Sequence, residues 1–212
     1  MMYELCVITD EAIAGGLSHA EIAQRAIAGG ADVIQLRDKT CGCLELCRVG
    51  RALRVITKKT GTLFIVNDRL DVALACGADG VHLGQDDIHA GSACQIAPPG
   101  FIIGVSVGSV DEAVRAEQEG ADYIAVSPVF STASKTDAGS GLGLGLLREI
   151  RLHVSLPVIA IGGINRDNVF DVISAGADGV AVISAVVGSP DIMKAARELK
   201  ELVSDSKEKM SS

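Results

Sequence analysis

Aromatic side chains are scarce in this chain, at 3% of 212 residues, and tryptophan is absent. Whatever core it builds must therefore be filled by Val, Ile, Leu and Ala. Basic residues are also in deficit. Nineteen Lys and Arg against 27 Asp and Glu give a net charge of −8, which excludes a general attraction for nucleic acid or acidic membranes and requires a local site for any anionic ligand. No apolar run reaches the roughly 18 residues of a membrane helix. The opening MMYELCVITD lacks the basic segment and long apolar core of a signal peptide, so a cytoplasmic location is expected. Six cysteines are present, but Cys41, Cys43 and Cys47 form a C-x-C-x₃-C run with no matching second cluster, which is not zinc spacing. Reduced thiols are expected, and redox sensitivity of this trio is left open. No Ser-His-Asp set is persuasively placed, and no zinc-hydrolase motif occurs.

What the chain has in abundance is one repeated phrase. GGADVIQL ends at Leu36, CGADGVHL at Leu83, GADYIAVS at Ser127 and GADGVAVIS at Ser184. Each is a glycine able to end a helix in the left-handed region, a small residue, an aspartate and a short apolar strand. Four further apolar runs lie between them: ELCVITD from Glu4, LFIVND from Leu63, FIIGVS from Phe101 and PVIAIGG from Pro157. Each run is followed by a helical stretch. Such alternation is the signature of parallel βα units, and eight of them close a barrel. The expectation is an α/β chain with a single-domain (βα)8 barrel over 1–203 and a polar, disordered tail over 204–212.

The helical stretches fit a ring around such a barrel. Ile22, Ala23, Ala26 and Ile27 share one face, and Gly29 and Gly30 stop that helix. Ser109-Val-Asp-Glu112 is a capping-box pattern. Ser189 and Pro190 read as an N-cap and first-turn pair ahead of the stripe Ile192, Ala196, Leu199 and Val203. The fourth helix should be short, because Gly91 interrupts it and Pro98 and Pro99 end it.

In a barrel of this kind, chemistry collects at the C-terminal ends of the strands. The second strand ends Gln35-Leu-Arg37-Asp-Lys39, and period-two geometry sends Gln35, Arg37 and Lys39 to one side. A cation-rich strand end in an acidic protein points to phosphate or diphosphate, against the plainer reading of a salt-bridged strand end. The third strand ends Asn67-Asp68 and the fourth continues Gly84-Gln-Asp86-Asp87. Carboxylates converging from adjacent strands suit Mg²⁺ better than Zn²⁺, although each alone could simply cap a helix. The segment from Ser127 to Lys135 supplies Ser131, Thr132 and Ser134 hydroxyls and a lysine, and Gly139 to Gly145 reads as a mobile lid. Gly162-Gly163 after the seventh strand and Ile183-Ser184 after the eighth occupy the usual phosphate positions of such barrels. His82 lies within the fourth strand, facing either the packed interior or the mouth. His19, His89 and His153 are expected on the surface.

Taken together, these segments resemble the thiamine-phosphate synthase family. The resemblance runs from Leu5 to about Leu202 and rests on QLRDK at 35–39, ND at 67–68, GVHLGQDD at 80–87, GVS at 104–106, SPVFSTASK at 127–135, IGGI at 161–164 and VIS at 182–184. It implies an enzyme that joins hydroxymethylpyrimidine diphosphate to a thiazole phosphate, giving thiamine phosphate and pyrophosphate. It further implies that Gln35 through Lys39, Asn67, Ser106 and Lys135 bind the pyrimidine diphosphate, with Arg37, Lys39 and Lys135 stabilising the leaving group. Asp68 and Asp87 would hold Mg²⁺. Thr132, Ser134, Gly163, Ile183 and Ser184 would bind the thiazole phosphate, Ser134 replacing a frequent threonine.

One position departs from the pattern. Relatives commonly carry a histidine two residues after the GVS serine, where this chain has Gly108. A thiazole tautomerase branch is thought to use that histidine, so its absence weighs against a tautomerase. A non-catalytic thiazole-phosphate-binding regulator and another phosphate-binding barrel, such as an epimerase or a tryptophan-pathway enzyme, stand as further alternatives. The expected mechanism is dissociative, and small phosphorylated substrates are the expected partners. Homo-oligomer formation is left open.

Overall fold

The computed structural model describes residues 3–132 and 141–211. Eight parallel strands close into a barrel in sequence order, β1 Leu5–Thr9, β2 Val33–Leu36, β3 Leu63–Asn67, β4 Gly80–Leu83, β5 Ile102–Val107, β6 Tyr123–Val126, β7 Val158–Ile161 and β8 Gly179–Val182. The ring closes where Leu5 to Val7 pair with Val180 to Val182. Helices follow each strand: α1 His19–Ala28, α2 Cys43–Thr60, α3 Leu70–Cys76, α4 Ala90–Ile96, α5 Val110–Gln118, α6 Gly143–His153, α7 Val169–Ser174, α8 Ser184–Val187 and α9 Ile192–Ser211. No helix among the described residues is long and apolar enough to cross a membrane.

The repeated GAD phrase has a mechanical explanation. Gly30, Gly77, Gly120 and Gly176 all adopt positive φ, between 69° and 105°, which turns the chain from helix into strand. The aspartate that follows clamps the start of the preceding strand. Asp32 accepts the N–H groups of Glu4 and Leu5 at 3.0 and 2.9 Å, Asp79 that of Phe64 at 2.9 Å, Asp122 that of Ile103 at 2.7 Å and Asp178 that of Val158 at 2.8 Å. The amide of each aspartate donates in return to the carbonyl oxygen of Leu5, Phe64, Ile103 and Val158. Strand starts would otherwise leave buried N–H groups unpaired, so a charged acceptor at this point stabilises the non-catalytic end of the barrel.

Apolar residues form two layers. One lies between strands and helices, around Leu5, Ile34, Phe64, Val81, Ile124 and Val180. The other fills the barrel and is mainly aliphatic, with Ile8, Val33, Ile65, Ala125, Ile159 and Ile161, but it also takes Tyr123.

Several local expectations need correction. Ser189 does not cap the last helix: Asp191 accepts the N–H of Lys194 at its side chain and that of Ala195 at its carbonyl, while the Ser189 hydroxyl bonds to the backbone of Asp191. The four-residue α8 precedes it. The polar stretch from Ser204, expected to fray, continues α9, because Ser204 and Lys207 reach across to Glu4 on the barrel. Glu112 does not close a box on Ser109; Ser109 caps α5, and Glu112 accepts the N–H of Gly108 at 2.7 Å. The complete capping box is at Ser18 and Glu21. The short α4 and the buried stripe of α9 are as expected.

Candidate active site

The mouth of the barrel opens into a cavity of about 550 Å³ lined by Arg37, Lys39, Asn67, Asp68, Asp87 and Ser106 among others. Six of the expected site residues, distant in sequence, thus share one space. Gln35 lies one step deeper, 3% exposed in the barrel interior, and its Oε1 has no hydrogen-bond partner among the described residues. Arg37 and Lys39 follow β2, at the rim, in the segment that leads to α2. Arg37 is mostly buried, stands 3.6 Å from Asp10, and its Nε has no hydrogen-bond partner among the described residues. Lys39 is half-exposed, with Nζ 4.0 Å from Asp68 Oδ2.

Asp38, between the two cations, shapes the turn. Its Oδ1 accepts the N–H and hydroxyl of Thr40, both at 2.7 Å, and the N–H of Cys41 at 3.0 Å. Burial opposes ionisation of Asp38, but the donors of Cys41 and Thr40 outweigh it and hold the carboxyl well below its usual range. The same contact, followed by burial, pushes the Cys41 thiol up to about 11.

Asp68 follows β3 in the left-handed region, at φ 63°, the one non-glycine residue to do so among those described. Its amide is held by the carbonyl of His82 at 2.7 Å. Such a conformation costs roughly 1–3 kcal/mol and persists where the surroundings over-determine it, as they do at functional sites. After the neighbouring strand β4, Asp87 accepts the N–H of Gly84 at 2.7 Å through Oδ2. The two carboxylates line one polar cavity, and hard oxygen donors in that number leave most of an octahedral shell to water and ligand oxygens, which fits Mg²⁺. No group of three or more His, Cys, Asp or Glu that could hold a metal occurs among the described residues.

Ser106 is fixed from below. Its hydroxyl lies 2.8 Å from His82 Nε2, and His82 Nδ1 lies 2.9 Å from the Tyr123 hydroxyl. The two rings stack with centroids 5.6 Å apart. Gly104 makes room for this arrangement, since it is paired with Tyr123 across the sheet and a Cβ there would overlap the phenol ring. Gln85 adds a bond to the Ser106 carbonyl at 2.7 Å and contacts Arg115. His82 is thus both buried and at the floor of the mouth. Tyr123 and Gln85 are contributors that sequence reasoning missed; the tyrosine at a position filled by Val or Gly in the other three repeats was the available signal.

A second, smaller pocket adjoins the first, lined by Ser127, Pro128, Thr132, Gly162, Gly163, Ile183 and Ser184. Gly162 and Gly163 have φ of 103° and 62°. A Cβ on either would press on Pro128 or Phe130, so glycine is required for this close approach. Asn168 pins the turn by donating to the Gly163 carbonyl at 3.0 Å. Ser134 and Lys135 lie outside the described residues, as does the first part of the glycine-rich segment. From Gly143 on it is helix rather than loop: Gly143 and Gly145 belong to α6, and the N–H groups of Leu142 and Gly143 donate to the carbonyls of Pro128 and Val129. Gly108 lines the main cavity in place of a histidine. His89 and His153 are exposed, whereas His19, expected at the surface, is 3% exposed.

The fold, with its paired pockets at the strand ends, defines a (βα)8 barrel. The family model described as thiamine monophosphate synthase matches residues 5–186. Among curated proteins, the chain is 64% identical over 208 residues to the thiamine-phosphate synthase of Methanoregula boonei, covering 98% of this chain and 96% of that protein. It is 60% identical to that of Methanoculleus marisnigri, with 98% of both covered. Among solved structures, thiamine phosphate pyrophosphorylase from Pyrococcus furiosus superposes with a TM-score of 0.89 at 45% identity over 96% of both chains. The chain belongs to the thiamine monophosphate synthase family. A 3-hexulose-6-phosphate synthase from Salmonella typhimurium shares the fold alone, at 21% identity and a TM-score of 0.71 over 96% of this chain and 99% of the other.

Proposed function

We propose that this chain is a thiamine-phosphate synthase whose two pockets divide the reaction between them. The main cavity takes hydroxymethylpyrimidine diphosphate, with Arg37, Lys39 and Lys135 on the diphosphate, and Gln35, Asn67 and Ser106 on or beside the pyrimidine. The adjoining pocket takes the thiazole phosphate at Thr132, Ser134, Gly163, Ile183 and Ser184. The single observation that carries this reading is the shared cavity that collects the cationic end of β2, Asp68, Asp87 and Ser106 beside a glycine-built pocket.

The chemistry follows from charge. The bond between the pyrimidine methylene carbon and the diphosphate oxygen breaks, its electron pair leaves with pyrophosphate, and the thiazole nitrogen supplies the pair for the new C–N bond. Arg37 and Lys39 stabilise the negative charge that develops on the leaving oxygens, and burial strengthens the contact made by Arg37. The apolar barrel interior beneath Gln35 keeps water from the cationic carbon. Asp68 and Asp87 would hold Mg²⁺, which when bound supplies further neutralisation of the diphosphate. No protein nucleophile is required. The enzyme works in the cytoplasm on small diffusible substrates. Titration of pyrophosphate in the presence of Mg²⁺ tests the division of the site: Arg37→Ala and Lys39→Ala should weaken it while leaving thiazole phosphate binding unchanged. Equal loss of both ligands would contradict the division.

A further inference from the structure

Buried polar side-chain atoms are almost always hydrogen-bonded, so those that are not call for a reason. Among the described residues three lack a partner: His19 Nε2, Gln35 Oε1 and Arg37 Nε. Two lie on the β2 segment that carries the cations, and the third sits directly behind it. Such concentration at one strand end is the mark of a functional arrangement rather than of a packing accident.

His19 opens α1, directly after the Ser18 cap, and its ring turns inward to 3% exposure. Nδ1 lies 2.7 Å from Thr9 Oγ1. The Thr9 hydroxyl in turn donates to the carbonyl of Gln35 at 3.3 Å, so its oxygen is left to accept from the ring N–H. The other ring nitrogen stands 3.6 Å from Asp38 Oδ2 and 3.8 Å from Glu11 Oε1, with the Asp10 and Arg37 pair alongside on the neighbouring strand ends. Glu11 also accepts the His19 backbone N–H at 2.9 Å, which fixes the ring's position relative to the loop after β1. One imidazole therefore touches both controls of the cationic segment. Through Thr9 it reaches the Gln35 carbonyl, and directly it faces Asp38, the carboxylate that folds the turn at 38–41.

We propose that His19 is a positioning residue for the diphosphate-binding end of β2, holding Arg37 and Lys39 in place through Thr9 and Asp38. The proposal rests on the reading of that strand end as the diphosphate site. His19 itself touches no substrate in this account.

The test uses inorganic pyrophosphate with Mg²⁺ and thiazole phosphate as separate calorimetric probes of the full chain. His19→Phe fills the volume without a donor and should weaken pyrophosphate binding about tenfold, the size of one lost hydrogen bond, with thiazole phosphate unchanged. His19→Asn keeps an amide N–H beside Thr9 and should recover most of that loss, which a purely steric role would not predict. Thr9→Val removes the relay without touching the helix and should match His19→Phe, so the idea stays testable if the first variant folds poorly. Unchanged pyrophosphate affinity in both His19→Phe and Thr9→Val would overturn the proposal, as would equal loss of both ligands. Lys39→Ala, run alongside, separates the two levels. If it weakens pyrophosphate while His19→Phe and Thr9→Val do not, the site reading stands and the role of His19 fails. If Lys39→Ala has no effect, the diphosphate assignment fails and the role of His19 with it.

Discussion

Replacing Asp122 or Asp79 with Ala should destabilise the barrel by the same amount, even though only one of them carries an ion pair among the described residues. Asp122 accepts the Ile103 N–H at 2.7 Å, and Ile103 is 2% exposed. Asp79 accepts the Phe64 N–H at 2.9 Å and is also bridged by Arg54 at 2.8 Å. A hydrogen bond to a charged acceptor contributes about 1.5–3 kcal/mol, and its loss leaves a buried donor unpaired. The Arg54 pair is partly exposed, 29% for the arginine and 24% for the aspartate, and pairs of that kind contribute about 0–1 kcal/mol. Both alanine variants should therefore lose about 2 kcal/mol, and Arg54→Met much less. At about 2–4 °C per kcal/mol for a chain of this size, the aspartate variants should melt about 4–8 °C lower. Urea unfolding followed by far-UV circular dichroism gives the free energies, with matching fluorescence or calorimetric transitions as the two-state check. A loss under about 0.5 kcal/mol for Asp122→Ala, or an Arg54→Met loss equal to that of Asp79→Ala, would refute the clamp and assign the effect elsewhere.

Three other outcomes follow from the same structure. Lys39→Ala should unfold like the parent protein but lose roughly 10²–10³ in turnover, the usual result of deleting one preorganised charge stabiliser; steady-state kinetics decides it. In Gly163→Ala the new Cβ would stand 2.8 Å from both Phe130 Cβ and the Ser131 carbonyl at φ 62°, so the KM for thiazole phosphate should rise while that for the diphosphate holds. Glu4 supplies a pH dependence. Burial works against its ionisation, but hydrogen bonds from Lys200, Lys207 and Ser204 outweigh it and lower its pKa below the ordinary 4.5. Its contribution to stability is thus complete above 4.5 and is lost as pH falls through the lowered value. Unfolding free energy measured from pH 6 downward should fall more steeply for the parent than for Glu4→Gln.

The barrel was legible because its signals are local and repeated. Four glycine-Asp turns and eight apolar runs specify strand ends independently of one another, and the register then follows from closure. Much of the site was legible for a related reason: its residues sit at or just after strand ends, although β2 stops at Leu36 and the turn at Asp38, not strand alternation, leads the chain through Arg37 and Lys39. What stayed hidden depends on contacts between distant segments. His19 reads as a surface residue because α1 is polar around it, and only the positions of Thr9 and Asp38 draw it inward. Tyr123 looks like one more strand residue until Gly104 is found beside it and His82 above it. The polar sequence from Ser204 gives no sign that the last helix continues, because the anchor that extends it, Glu4, lies 200 residues away in sequence.

The most direct test of the account is product formation by the purified chain from hydroxymethylpyrimidine diphosphate and thiazole phosphate, measured with Mg²⁺ and with EDTA. The account predicts thiamine phosphate and pyrophosphate in equal amounts with Mg²⁺, and loss of both with EDTA. No product from folded protein that still binds thiazole phosphate would contradict it and leave a binding protein in place of a synthase.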